Sequence, residues 1–199
     1  RTSIRSRFRH IATNLSIAGS NAVVVNLLFS GTLMLVSRQA EGWGLLQYLE
    51  VGSLSKVVAS IVLLDLIFYG FHRANHIIPF LWRFHRAHHS DLVLDVTTAF
   101  RFHLGEVIIS VLLKAVVIAL LGIPVIGLLS FEILLVAAAE FQHSNLRLPE
   151  LIDKRLRLLI ITPHMHWIHH SQLPLHHNSN FGTILSAWDR LFHTYSLPV

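Results

Sequence analysis

Cysteine is missing from the 199 residues, and its absence excludes thiolate-ligated haem, iron–sulfur clusters, cysteine-bound zinc and disulfides together. Any bound metal must use nitrogen or oxygen ligands. Charge is scarce as well: charged residues make up 14% of the chain against 53% hydrophobic ones, a balance foreign to soluble domains and explained by embedding in a membrane. The chain carries no GxGxxG dinucleotide motif, no hydrolytic or phosphate-cradling motif, no repeat of whole segments and no low-complexity tract. The net charge of +5 has no basic helix with interleaved aromatics behind it. The arginines flank apolar segments, so the expected partner is a membrane surface and no nucleic acid.

Four apolar segments, 15–37, 54–71, 104–121 and 125–141, each approach the roughly 20 residues that cross a bilayer core. The first follows Arg1, Arg5, Arg7 and Arg9 and reads as a retained helix, because its apolar stretch is too long for a signal peptide and no small-residue cleavage site follows. Gly122 and Pro124 predict a tight antiparallel hairpin between the last two segments. The expected fold is one all-α integral-membrane domain over 1–199, with four apolar helices and a histidine-rich helical cap. If all four segments cross, every histidine falls on one side, together with thirteen of the sixteen lysines and arginines. The positive-inside rule then makes the histidine side cytoplasmic.

Fifteen histidines are the chain's excess. His72 and His76 stand at i and i+4, on one helical face. His85, His88 and His89 form an HxxHH pattern, and His166, His169 and His170 repeat it, so two three-imidazole clusters are expected. His103 and His143 begin or end apolar helices on the same side. Ten imidazoles exceed the needs of one ion and suit two, of iron, zinc, copper or nickel. His10, His164, His176, His177 and His193 are isolated and read as surface or hydrogen-bonded residues. Acidic groups inside apolar segments are costly and therefore informative. Asp65 lies two turns before His72, and Glu106 and Glu140 lie three residues from His103 and His143. Each is a candidate acceptor for the second N–H of a ligating ring. For Glu132, helix–helix hydrogen bonding and such a role stay open.

These residues resemble the fatty acid hydroxylase and sterol desaturase superfamily of membrane di-iron enzymes, over nearly the whole chain. The resemblance rests on 65–76, on Leu81 through Ser90, on Arg101-Phe102-His103, on Phe141 through Asn145, on Thr162-Pro163 with the 166–170 cluster, and on Asn180-Phe181-Gly182 with Trp188 through Phe192. Leu104 and His193 stand where the family pattern has proline and glycine, and Arg147 where some relatives have a second histidine. The resemblance implies two iron ions, with zinc as a substitute in purified protein, held near the cytosolic face by His72, His76, His85, His88, His89, His143, His166, His169 and His170, with His103 completing the set. It implies dioxygen-dependent hydroxylation or desaturation of a lipid, whether fatty acyl, sterol, carotenoid or ether lipid, with no catalytic group beyond the metal ligands. Since no dinucleotide motif is present, electrons are expected from a separate electron-transfer protein. The competing expectation is a membrane metal-binding or metal-transport protein, which would hold its ligands near the bilayer midplane.

Overall fold

A computed structural model describes residues 4–197; Arg1, counted above in the basic flank, lies outside them. It is helical throughout, with one isolated bridge between Ile160 and Leu185 among the described residues. Four helices are long and apolar enough to cross a membrane: α1 (Ile4–Phe29), α3 (Ser53–Ile77), α5 (Leu104–Leu121) and α6 (Val125–His143). Between α1 and α3 lie α2 (Thr32–Ala40) and a short 3-10 turn, Leu45–Tyr48. The cap comprises α4 (Pro79–His89), a 3-10 turn at Val96–Phe100, α7 (Glu150–Leu156), α8 (Pro163–His169), α9 (Pro174–His177) and α10 (Ala187–Leu191).

The first apolar segment differs from its expected course. Gly31 adopts φ +72° and breaks it into α1 and α2, a left-handed conformation that glycine takes without a Cβ clash. The shorter piece folds against the far end of α5, where Ser37 Oγ donates to Ile123 O and Gln47 Nε2 to Gly122 O. Gly122 ends α5 at φ +69°, and a Cβ on Gly44 would overlap its backbone. Such close backbone approach is how helices associate where lipid removes the hydrophobic driving force.

Helix α3 packs on α6, and beneath the cap Leu64, Phe68, Val117, Ile118, Leu128 and Phe131 form a buried core. Helix α1 stands more apart, leaning on the 96–100 turn and on α5. Its Asn14 is fully buried and receives Arg101 Nη1 while donating to Asp91 and Thr97. His10, one turn earlier, bonds Asp91 at 2.8 Å, so this histidine is hydrogen-bonded as expected and ties the start of α1 to the cap. Along the spans the outward Leu, Ile and Val side chains remain exposed, among them Leu27 at 78% and Ile133 at 70%. A bilayer would cover such a surface.

Candidate metal centre

Imidazoles from four helices meet where α3 and α6 enter the cap. Pro79 starts α4 directly after α3, from an extended Ile78, and so turns the chain back within contact of His72 and His76. Thr162 caps α8, with Pro163 at its first position. The rings sort into two groups: His72, His76, His85, His89 and His169; and His88, His143, His166 and His170. Within each group, one ring nitrogen per residue lies within 4.8 Å of those of all the others.

Each HxxHH triplet is therefore divided and does not act as one cluster. At about 100° per residue, positions i and i+4 diverge by about 40°, whereas i+3 and i+4 diverge by about 100°. His85 and His89 of α4 join the first group and His88 the second; His166 and His170 join the second and His169 the first. The two helices thus exchange one ring each.

Hydrogen bonds behind the rings orient them. His72 Nδ1 donates to Phe181 O at 2.9 Å, His169 Nδ1 to Ser179 O at 2.8 Å and His143 Nδ1 to Ala139 O at 2.7 Å. His85 Nδ1 meets Glu106 Oε1 at 2.8 Å, an oxygen that also accepts from Asn75 Nδ2. These bonds occupy Nδ1 and leave Nε2 as a lone pair aimed inward. Nε2 of His76, His85, His89 and His169 is buried with no partner, a costly arrangement unless something electron-poor lies between them. In the second group Nε2 of His143 lies 3.1 Å from that of His88 and 3.0 Å from that of His166, close enough for one ion with metal–nitrogen bonds of about 2.1 Å to be reached by all three. Burial pushes the His88, His89, His166 and His170 rings well below the usual imidazole range, and neighbouring imidazoles add to it. His169 is held at about 3, chiefly by burial. All five are neutral at pH 7, the form that binds metal, and the donor set fits nitrogen-ligated metal ions.

The C-terminal signature works from behind this centre. Asp65 accepts Thr183 Oγ1, the backbone N–H groups of Ile184 and Leu185, and Trp188 Nε1, at 2.6–3.1 Å. Asp189 accepts the N–H groups of Phe181 and Gly182 and Thr194 Oγ1, though burial still pushes its carboxyl up. Together they fix the strand of chain that presents the Ser179 and Phe181 carbonyls to His169 and His72. Asp65 thus supports the rings through the backbone, without the direct bond to His72 that its spacing suggested. Glu106 serves His85 and not its neighbour His103. Glu140 is half-buried, and no hydrogen bond joins it to any described histidine.

His103 is brought into neither group. It is exposed and caps α5, its Nδ1 accepting from Gly105 N at 3.0 Å. His177, set aside as isolated, has its ring 4.9 Å from those of His76 and Trp82 and covers the outer side of the first group. Sequence spacing offers no signal for it. Asn75 was also missed, though its position one residue before His76 put it beside the centre. His193 adopts φ +56°, which accounts for the glycine of the family pattern, and Leu104 occupies the first position of α5, where proline fits well.

A cavity of about 440 Å³ opens between α1, α3, α5 and α6. His72, His85, His88, His143, His166 and Glu106 form its inner end, and its walls are largely apolar: Ala18, Ala22, Val25, Phe71, Val107, Leu135, Val136 and Ala139.

The family model described as fatty acid hydroxylase matches residues 57–194. The chain is 32% identical over 146 residues to an ornithine lipid hydroxylase of Rhizobium tropici, covering 72% of this chain and 42% of the relative. It is 29% identical over 133 residues to an alkylglycerol monooxygenase of Danio rerio, covering 66% and 28%. It is 26% identical over 138 residues to a very-long-chain aldehyde decarbonylase of Oryza sativa subsp. indica, covering 65% and 22%. The chain thus spans less than half the length of these curated relatives. No solved structure matches it.

Proposed function

The chain belongs to the fatty acid hydroxylase family, and from that premise we propose that it is a membrane oxidoreductase that uses dioxygen and two histidine-bound iron ions to hydroxylate a lipid. The observation that carries this reading is the meeting of nine buried or half-buried imidazoles, sorted into one group with unpartnered inward nitrogens and one whose Nε2 atoms crowd within 3.0–3.2 Å of each other, with the inner end of an apolar cavity between membrane-length helices. Hydroxylation is favoured over desaturation because it needs one hydrogen abstraction where desaturation needs two, and because two of the relatives named above are a lipid hydroxylase and a monooxygenase. Residues 1–199 act as one unit. The histidine side is cytoplasmic, on the charge count, and a separate electron-transfer protein docks there.

When bound, iron supplies the reductive activation of dioxygen and the cleavage of an unactivated C–H bond. The chain's own residues do the rest. Glu106 and the Phe181 and Ser179 carbonyls hold the His85, His72 and His169 rings in orientation. The cavity wall of α1, α3, α5 and α6 excludes water and directs an apolar chain toward His88, His143 and His166. Asn75 restrains the Glu106 carboxylate.

A metal-transport reading predicts ligands within the spans, near the midplane. The histidine groups lie at the ends of α3 and α6 and in α4 and α8, which favours catalysis. The test combines two measurements. Anaerobically purified protein is expected to hold two metals per chain, and cells expressing it under isotopically labelled dioxygen to gain a labelled lipid. A new double bond without label would replace hydroxylation by desaturation. An unchanged lipid profile despite bound iron and a working electron donor would remove the oxygenase reading.

A further inference from the structure

One ionic pair inside the spans takes no part in the metal centre. Lys114 of α5 and Glu132 of α6 bond across the hairpin, with the Lys114 ammonium 5.2 Å from the centroid of the Phe68 ring. Lys114 is 7% exposed. Charges at such depth are expensive in a bilayer and point to a function when paired.

Both residues line the cavity, at the end opposite the histidines. Lys114 lies eight residues beyond Glu106 on α5, about 12 Å along the helix, and Glu132 eleven residues before His143 on α6, about 16 Å. Among the described residues, none of α5 beyond Lys114 and none of α6 before Glu132 lines the cavity. Beneath the pair the packed core of Leu64, Val117, Ile118, Leu128 and Phe131 begins. The pair, its Glu132 side chain 34% exposed and its Lys114 backed by Phe68, thus bounds the cavity along α5 and α6.

We propose that the Lys114–Glu132 pair is the floor of a tail-binding channel and sets the longest acyl chain the protein accepts. This rests on the reading of the cavity as a lipid site. The lipid enters with the carbons nearest its polar end at the histidine groups, and its methyl end stops at the pair. A longer chain must fold back or leave its first carbons short of the centre.

The test uses the full chain in detergent and reads binding, not turnover. Saturated fatty acids from decanoate to lignocerate compete for a fluorescent fatty acid bound to the wild-type protein and to the double variant Lys114→Ala/Glu132→Ala, which removes both charges together and leaves neither unpaired. Wild-type affinity is expected to rise with chain length to a break, and the double variant to move the break to longer acids. The bulk-retaining variant Lys114→Met/Glu132→Gln should keep the wild-type break. A second measurement needs no substitution: a fatty acid with a photoreactive group on its terminal carbon should label wild-type protein around 110–114 and 132–136. The same break in both proteins, no break in the wild type, no binding of any acid, or labelling at the histidine end would each overturn the assignment. Should chains bind with the expected break while no lipid is oxygenated in the labelled-dioxygen experiment, the floor stands and the oxygenase reading falls.

Discussion

The two histidine groups draw on α4 and α8 alike and differ in how their rings are held. In the five-ring group three Nδ1 atoms have acceptors behind them: Phe181 O, Glu106 Oε1 and Ser179 O. In the four-ring group His143 is braced this way, by Ala139 O, while Nδ1 of His88, His166 and His170 is buried with no partner. His88 is steadied instead by stacking on Phe102, ring centroids 4.7 Å apart and nearly parallel. Three of the four rings line the cavity, against two of the five. The first group is thus built as a fixed anchor. The second has fewer donors, less support and more contact with the space a substrate would fill, so a metal ion, if held there as proposed, would contribute more to its order.

Removal of single rings should expose this difference most strongly. His143→Ala leaves three donors in the second group, and metal per chain is expected to fall by half, with a loss of activity larger than the ~10–100-fold that an outer partner costs. His72→Ala leaves the first group with four, as many as the intact second group has, and should retain more metal. His88→Ala and His169→Ala, which each remove the ring exchanged between α4 and α8, should both lower metal content. Elemental analysis of purified variants checks these outcomes; equal losses in His143→Ala and His72→Ala would erase the distinction.

The next effect isolates the support of the first group. Glu106→Gln keeps the shape but loses the charge facing His85, and metal affinity there should drop by about 10–100-fold with the second group unaffected. A cobalt titration that resolves two sites would show one shifted and one unchanged. Asp65→Asn acts further back, on the segment that presents the Phe181 and Ser179 carbonyls. Hydrogen bonds to charged groups contribute about 1.5–3 kcal/mol, and a stability loss of that order is expected in thermal unfolding, with cleavage near 183–188 by added protease before the rest of the cap. The smallest effect belongs to His103→Ala. Loss of an N-cap costs about 1 kcal/mol, and metal content should stay as in the wild type; a fall to one metal per chain would return His103 to the ligand set.

Most of the architecture could be read from apolar length alone. Segments 54–71, 104–121 and 125–141 all lie within long helices, and α3 continues through His72 and His76 because nothing interrupts its helical run before Pro79. The break at Gly31 was hidden, since a glycine within an apolar stretch marks a turn or a straight helix alike. Glu132 could not be assigned either, because its partner Lys114 lies on another helix and only the hairpin geometry brings them together. His103 was drawn toward the metal by its place at a helix start, yet that same place makes it a cap.

By itself the sequence determined that this is a helical membrane chain with imidazoles clustered at one end of its spans, because apolar length and i, i+4 spacing are properties of a single helix and need no neighbour. Which imidazoles share a centre was decided by the tertiary structure. Rings at i+3 and i+4 point about 100° apart, and only the docking of α4 against α3 and of α8 against α6 turns one of each triplet toward the other group. Tertiary contact likewise decided the role of Asp65, whose carboxylate on α3 accepts from residues 183, 184, 185 and 188, more than a hundred positions along the chain.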